Sequence, residues 1–244
     1  MRVIAITGAG GTLGAALSRQ FVSEPDTDVV LSDVSADSLQ ATVDGLTDAR
    51  GAVEILPADV SEIVEVEAVV GLALERFGRL DVLISNAGVL APNGRIHNLA
   101  TEDWERAFRV NVLGAVNGIR AAVPVMRSQA SGSIILTASV AGLTAWSHAA
   151  PYCATKAAVI QLAKVAAVEY ARDGVRVNCV CPGTFLSGIH QDLPQEAMDA
   201  IARKHPLGLG AADDLLGAYS YLANDASRWT TGSAIVVDGG YSAP

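Results

Sequence analysis

The chain has 244 residues, half of them hydrophobic, and 17 Lys and Arg against 26 Asp and Glu give it a net charge of −9. Such a length fits one extended α/β core, and an acidic balance without any Lys/Arg-rich cluster offers no face to nucleic acid or to an anionic membrane. The apolar run after Met1-Arg2 stops at Thr7-Gly8, well short of a secretory h-region, so a cytoplasmic protein is expected.

Val3-Ile4-Ala5-Ile6 is a continuous apolar run, and a helical pattern through Leu13, Leu17, Phe21 and Val22 follows it. This reads as strand, glycine turn, helix. A turn built from Gly8, Gly10, Gly11 and Gly14 lets backbone amides approach a pyrophosphate, which the helix N-terminus favours electrostatically. The second strand, Val29 to Ser32, ends at Asp33. That is about twenty residues beyond the turn, where a carboxylate accepts hydrogen bonds from an adenosine ribose. No Lys or Arg occurs between Arg19 and Arg50, so nothing local neutralises a ribose 2′-phosphate, and NAD is expected in preference to NADP.

The pattern repeats: a helix from about Ser35 to Arg50, a strand from Val53 to Leu56 with Asp59-Val60 beyond it, a helix from about Glu62 to Phe77, and a strand Val82-Leu83-Ile84 leading to Asn86-Ala87-Gly88. Alternating units of this length predict a parallel sheet with helices on both faces. Loops after the strand ends form the ligand-binding rim, which places Asp59, Asn86 and Ser139 there. Trp104 to Gln129 reads as one long helix in which Asn111 sits among apolar neighbours and needs a partner.

From Ser128 to Thr155 the chain carries no charged residue. The run has too many polar residues, and Pro151, for a membrane span, and reads as a buried strand, a polar crevice loop with Ser139, and the start of a helix. It ends at Lys156, four residues after Tyr152. On a helix that spacing puts both on one face, where the ammonium is expected to pull the phenol below its usual pKa of about 10. The helix runs to about Arg172, and a strand from Val175 to Cys181 is closed by Pro182-Gly183. Cys179 and Cys181 share a strand face and read as reduced core thiols; no second Cys pair or nearby His suggests a metal. The segment of about 184–206, with Ser187, Gly188, Pro194 and Pro206, reads as a substrate lid. A helix near Asp213 to Asn224 and a strand Ala234 to Asp238 complete a single domain over 1–244, without repeats or linkers.

In order and spacing, Thr7-Gly8-Ala9-Gly10-Gly11-Thr12-Leu13-Gly14, Asp33, Asp59-Val60, Asn86-Ala87-Gly88, Asn111, Ser139, Tyr152-x-x-x-Lys156, Pro182-Gly183 and Val236-Val237-Asp238-Gly239-Gly240 resemble the short-chain dehydrogenase/reductase family, classical type. The resemblance covers essentially the whole chain. It implies a single-domain, doubly wound Rossmann-type α/β fold with a parallel seven-stranded sheet, a nicotinamide cofactor and a homotetramer. Thr12 stands where the classical fingerprint has its middle glycine, and Ser187 where a Thr is common. The resemblance implies cofactor contacts from Gly8, Gly11, Thr12, Leu13, Gly14, Asp33, Asp59, Val60, Asn86, Ala87, Gly88, Tyr152, Lys156, Pro182, Gly183 and Ser187. It also makes Asn111 the holder of a relay water and Lys156 a partner of the nicotinamide ribose.

The chemistry expected of this set is hydride transfer between NAD and a secondary alcohol or ketone, with Tyr152 moving the hydroxyl proton and Ser139 holding the substrate oxygen. Val140, Leu143, Trp146, His148, Phe185, Leu186 and His190 are the candidates to line the substrate pocket. No Lys or Arg is among them, which suggests a small neutral alicyclic or aromatic substrate. A 3-oxoacyl-carrier reductase is the enzymatic alternative, and Asp33 weighs against it because such reductases usually use NADPH. A non-catalytic NAD-binding scaffold is the alternative of another class; binding alone requires no Tyr152. Surplus apolar residues such as Ala157-Ala158-Val159 and Ala166-Ala167-Val168 would be buried by helix pairing between subunits.

Overall fold

Alternate residues of the first strand feed two separate cores: Val3 and Ala5 pack into one cluster, Ile4 and Ile6 into the other. A strand buried on both faces has to be apolar throughout, as this one is. The computed structural model describes residues 1–188 and 195–243. Its sheet has seven parallel strands, β1 (Arg2–Thr7), β2 (Thr27–Asp33), β3 (Val53–Pro57), β4 (Val82–Ser85), β5 (Gly132–Thr137), β6 (Val175–Pro182) and β7 (Ala234–Val237), in the spatial order β3-β2-β1-β4-β5-β6-β7. The direction of winding reverses between β1 and β4, which opens a crevice at their carboxyl ends.

On one face lie α1 (Thr12–Ser23), α2 (Ala36–Asp44) and α8 (Asp213–Ala223), contributing Leu17, Phe21, Leu39 and Tyr219 to the core. The other face is covered by α3 (Ile63–Phe77), α5 (Gly114–Ser128) and α6 (Ala150–Tyr170), through Val66, Val70, Ile119, Met126, Val159 and Ala163. Helix α4 (Thr101–Phe108) precedes α5, and α7 (Gln195–Ala202) follows β6. Cys179 and Cys181 are buried and free. The Cys179 thiol donates to the Cys181 sulfur, and this hydrogen bond, with burial, pushes Cys179 up and keeps it protonated. Among the described residues, no helix is long and apolar enough to cross a membrane, and no cluster of His, Cys, Asp and Glu could hold a metal.

Two element boundaries differ from the sequence reading. Helix α2 ends at Asp44, not near Arg50, because Gly45 caps it and the amides of Arg50 and Gly51 instead bond the Val22 carbonyl. Gly is a poor helix former, so the stop costs little. The expected helix from Trp104 to Gln129 starts at Thr101 and is interrupted by a π-helical turn over Arg109–Leu113. Such turns insert an extra residue and re-aim a side chain. Here the re-aimed side chain is Asn111, which is 2% exposed.

Candidate active site

At the end of β1, Gly8 has φ +66°, and a Cβ on Gly14 would sit 2.0 Å from the Gly8 carbonyl, so only glycines permit this turn. Its amides divide into two groups. Those of Ala9, Gly10 and Gly11 are taken by the Ser32 carbonyl, the Asp33 carboxylate and the Gly8 carbonyl. Those of Thr12, Leu13 and Gly14 open α1 with no side-chain cap and no acidic residue in the first turn. Unpaired donors at a helix N-terminus attract anions. Thr12 and Gly11 are exposed, and Thr12 Oγ1 accepts from the Gly188 amide at 3.4 Å, so the threonine at the middle-glycine position touches the loop that follows β6.

Asp33 ends β2 with Oδ2 accepting from the Gly10 amide (3.0 Å) and Oδ1 from the Ser35 amide (2.9 Å). The carboxylate is thereby fixed beside the turn. Asn86 braces the other side: its Nδ2 donates to the Gly8 carbonyl (3.1 Å), and its own amide and that of Ala87 donate to Thr7 Oγ1. Asp59 accepts from the Ser61 amide, and buried Val60 has its carbonyl held by Asn117 Nδ2 at 2.9 Å. The Gly183 amide, just past Pro182, donates to the Val237 carbonyl. Ser187 lies next to Gly188 and is partly exposed.

Beyond β5, Ser139 is 5% exposed, accepts from the Ala141 amide at 3.1 Å and has its hydroxyl beside the Tyr152 phenol. Lys156 lies one turn along α6 from Tyr152, 4% exposed, with Nζ 5.7 Å from the phenol ring centroid. Its ammonium donates to the Thr137 carbonyl at 2.8 Å. Burial pushes Lys156 down to about 8, against a small opposing pull from Cys181. The sequence expectation of a depressed Tyr152 pKa does not hold. Burial raises it, the neighbouring Ser139 hydroxyl pulls it only part of the way back, and Cys153 adds a further rise. Desolvation of the phenolate outweighs a cation that is directed at a carbonyl.

Asn111 uses its side chain as a tie. Oδ1 accepts from the Val89 amide (2.8 Å), and Nδ2 donates to the Val89 carbonyl (2.9 Å) and to Thr155 Oγ1 (3.1 Å). A Cβ on Gly88 would lie 3.2 Å from Asn111 Oδ1 and 3.3 Å from Lys156 Nζ, so the glycine leaves a gap between those two polar atoms.

A family profile described as enoyl-(acyl carrier protein) reductase matches residues 8–242. The 2-(R)-hydroxypropyl-CoM dehydrogenase of Xanthobacter autotrophicus is 35% identical over 248 residues, covering 99% of each chain. The chain belongs to the short-chain dehydrogenase/reductase family. Another member, the meso-2,3-butanediol dehydrogenase of Serratia marcescens, is 36% identical over 243 residues, 99% of this chain and 95% of that one. The crystal structure of levodione reductase superposes with a TM-score of 0.93 at 29% identity, covering 99% of this chain and 98% of that chain. The arrangement is that of a short-chain dehydrogenase/reductase of the classical type.

On the substrate side of this short-chain dehydrogenase/reductase, the expected lining residues separate. Trp146 stacks on Tyr152 with ring centroids 6.1 Å apart. Leu143 and Leu186 are exposed near the crevice, and Phe185 packs half-buried at the edge of the α8 core. Val140 is fully buried beneath Ser139 in a short 3₁₀ turn and lines nothing. His148 is exposed with φ +69°, its carbonyl accepting from the Gly94 amide and its ring bonded to Ser147, so it serves the loop's shape. His190 lies outside the described residues.

Several neighbours of the site were not legible from sequence. Tyr241 meets Trp146 edge-on at 6.2 Å, and His205, 4% exposed, lies 4.8 Å from Tyr241 and accepts from the Thr184 amide. Only the packing of β7 beside β6 brings these distant segments to the phenol. Thr155 was within reach of sequence reasoning, as a hydroxyl residue three beyond Tyr152 in an apolar helix. It is fully buried, donates to the Tyr152 carbonyl at 2.8 Å and accepts from Asn111.

Proposed function

We propose that the chain is an NAD-dependent dehydrogenase that interconverts a secondary alcohol and its ketone. The neighbouring hydroxyls of Ser139 and Tyr152, with Lys156 one turn below, carry this reading. The free amides of Thr12, Leu13 and Gly14 fit a pyrophosphate. Asp33, beside Ser35 and far in sequence from any Lys or Arg, fits a ribose diol and repels a 2′-phosphate, which supports NAD. Lys156 would hold the nicotinamide ribose, with Asn86, Gly88, Gly183 and Ser187 around the ring. When bound, NAD⁺ supplies the acceptor for the hydride that leaves the carbinol carbon.

The protein's own groups manage the proton. In oxidation Tyr152, as phenolate, takes the hydroxyl proton of the alcohol, and in reduction the phenol returns it to the ketone oxygen. Ser139 donates to that oxygen and stabilises the charge developing on it. Asn111 Oδ1 keeps one lone pair uncommitted and flanks the gap opposite Gly88 with Lys156, the place for a water that relays protons from the interior.

Leu143, Trp146, Phe185 and Leu186 support a small neutral alicyclic or aromatic substrate; of the expected lid of about 184–206, residues 189–194 lie outside the described residues. The family description favours a second reading, a reductase of carrier-bound acyl groups; Asp33 opposes it. The exposed Phe108, Leu113, Val165 and Val168 of the α4 to α6 region support association into a homotetramer. Absorbance of reduced nicotinamide, followed with NAD⁺ or NADP⁺ and a panel of secondary alcohols, tests the function. Faster oxidation with NADP⁺ overturns the cofactor assignment.

A further inference from the structure

We infer that Trp146 makes this enzyme selective for alcohols bearing a second, uncharged oxygen on a neighbouring carbon, which the indole N–H binds. The inference rests on the proposed role of Tyr152. Among the described residues, two buried side-chain polar atoms have no hydrogen-bond partner, Ser32 Oγ and Trp146 Nε1. Buried polar groups are nearly always satisfied, so an orphan calls for a reason. Ser32 lies inside β2, on the strand that ends at Asp33. Trp146 is in the loop that delivers the reacting phenol.

The indole ring stacks on Tyr152 at 6.1 Å with an interplanar angle of 29°, and Tyr241 closes its edge at 6.2 Å and 78°. An indole N–H can only donate, so the missing partner is an acceptor. Among the described residues a protein acceptor is lacking. A hydrogen-bonded acceptor lies about 3 Å from the indole nitrogen. Because the indole lies against the ring of Tyr152, an oxygen bonded to it would belong to the same substrate as the one whose proton Tyr152 moves. Leu143, Phe185 and Leu186 bring no charge to match a carboxylate, so the oxygen is a hydroxyl, an ether or a carbonyl. A site built to bond an oxygen discriminates strongly against the analogue lacking it, because the buried donor is then left unpaired.

The test compares kcat/KM for NAD⁺-dependent oxidation of 1,2-cyclohexanediol, 2-methoxycyclohexanol, 2-aminocyclohexanol as its ammonium form, and cyclohexanol. The diol and the methyl ether, both acceptors, are expected to exceed cyclohexanol by about tenfold or more, and the ammonium compound to gain nothing. In Trp146→Phe, which keeps a ring and loses the donor, the diol-to-cyclohexanol ratio is expected to fall to about one. A purely structural role for Trp146 would lower both rates together and leave the ratio unchanged. A flat profile in the wild type, or a ratio that survives Trp146→Phe, overturns the inference; if Tyr152→Phe still abolishes oxidation, the reaction itself stands. Oxidation that survives Tyr152→Phe overturns the reaction as well.

Discussion

The ammonium of Lys156 is bonded to the carbonyl oxygen of Thr137 at 2.8 Å, at the end of β5. The lysine is thus positioned by the backbone of the strand that leads to Ser139, while its charge remains almost wholly desolvated. Its folded pKa of about 8 lies below the ordinary 10.5. The unfolded chain therefore binds more protons, so charging Lys156 opposes folding below pH 8, and this cost fades as pH rises toward 10.5. Lys156→Met is expected to be more stable than the parent by about 1–3 kcal/mol at neutral pH, the Thr137 carbonyl left without its donor offsetting part of the gain. Urea unfolding of both proteins should show the gap shrinking between pH 8 and 10.5. The same variant should lose alcohol oxidation. Equal stability at all pH values would show that the ammonium is not desolvated as described.

Tyr152 sets the pH dependence of turnover. Burial holds its phenol above the ordinary 10.0, so phenolate is scarce at neutral pH. Alcohol oxidation, which needs phenolate, should climb with pH, whereas ketone reduction, which needs phenol, should be level near neutrality and fall in alkali. Tyr152→Phe is expected to lower kcat by about 10²- to 10⁴-fold, the range for removal of a general acid/base, with NAD affinity retained. Steady-state rates across pH 6 to 10, with dinucleotide titration of the variant, check both points. Near-parental turnover in the variant would remove Tyr152 from the mechanism.

Asp33 joins the glycine turn to the second strand by accepting from Gly10 and Ser35. Asp33→Asn keeps the shape but removes the charge that would repel a 2′-phosphate. The KM for NAD⁺ should rise about tenfold and the NAD⁺/NADP⁺ preference should fall by at least as much, each hydrogen bond to a charged group being worth about 1.5–3 kcal/mol. Parallel titrations of the two dinucleotides read out both effects. An unchanged preference would place the cofactor's ribose elsewhere.

The sheet was legible because β1, β2, β4 and β5 are buried on both faces and are built around apolar runs such as Val29-Val30-Leu31 and Ile134-Ile135-Leu136. The pairing of Tyr152 with Lys156 followed from helical spacing alone. The direction of the phenol's pKa shift did not, since spacing says nothing about desolvation or about a lysine turned toward Thr137. The break at Arg109–Leu113 was equally hidden: Val89, the partner that draws Asn111 inward, is 22 residues away in sequence. Tyr241 and His205 reach the site only through tertiary packing, and no local pattern marks either.

Thr155 joins two of these parts, and its hydroxyl offers the last prediction. It donates to the Tyr152 carbonyl at 2.8 Å and accepts from Asn111 Nδ2 at 3.1 Å, while Asn111 grips both backbone groups of Val89. The first turn of α6 is thereby tied to the π turn and to the loop after β4. Thr155→Val preserves volume and leaves one Asn111 donor unpaired in the interior, at a cost of about 1–3 kcal/mol. If the tie also orients the phenol, kcat should fall about tenfold while the KM for NAD⁺ changes little, since a misplaced reacting group slows the chemical step far more than it weakens binding. Thr155→Ser, which restores the hydroxyl, should recover both stability and rate. Chemical unfolding and kcat measured on the two variants decide the matter: loss of stability with an unaltered kcat would make Thr155 a packing residue without influence on Tyr152.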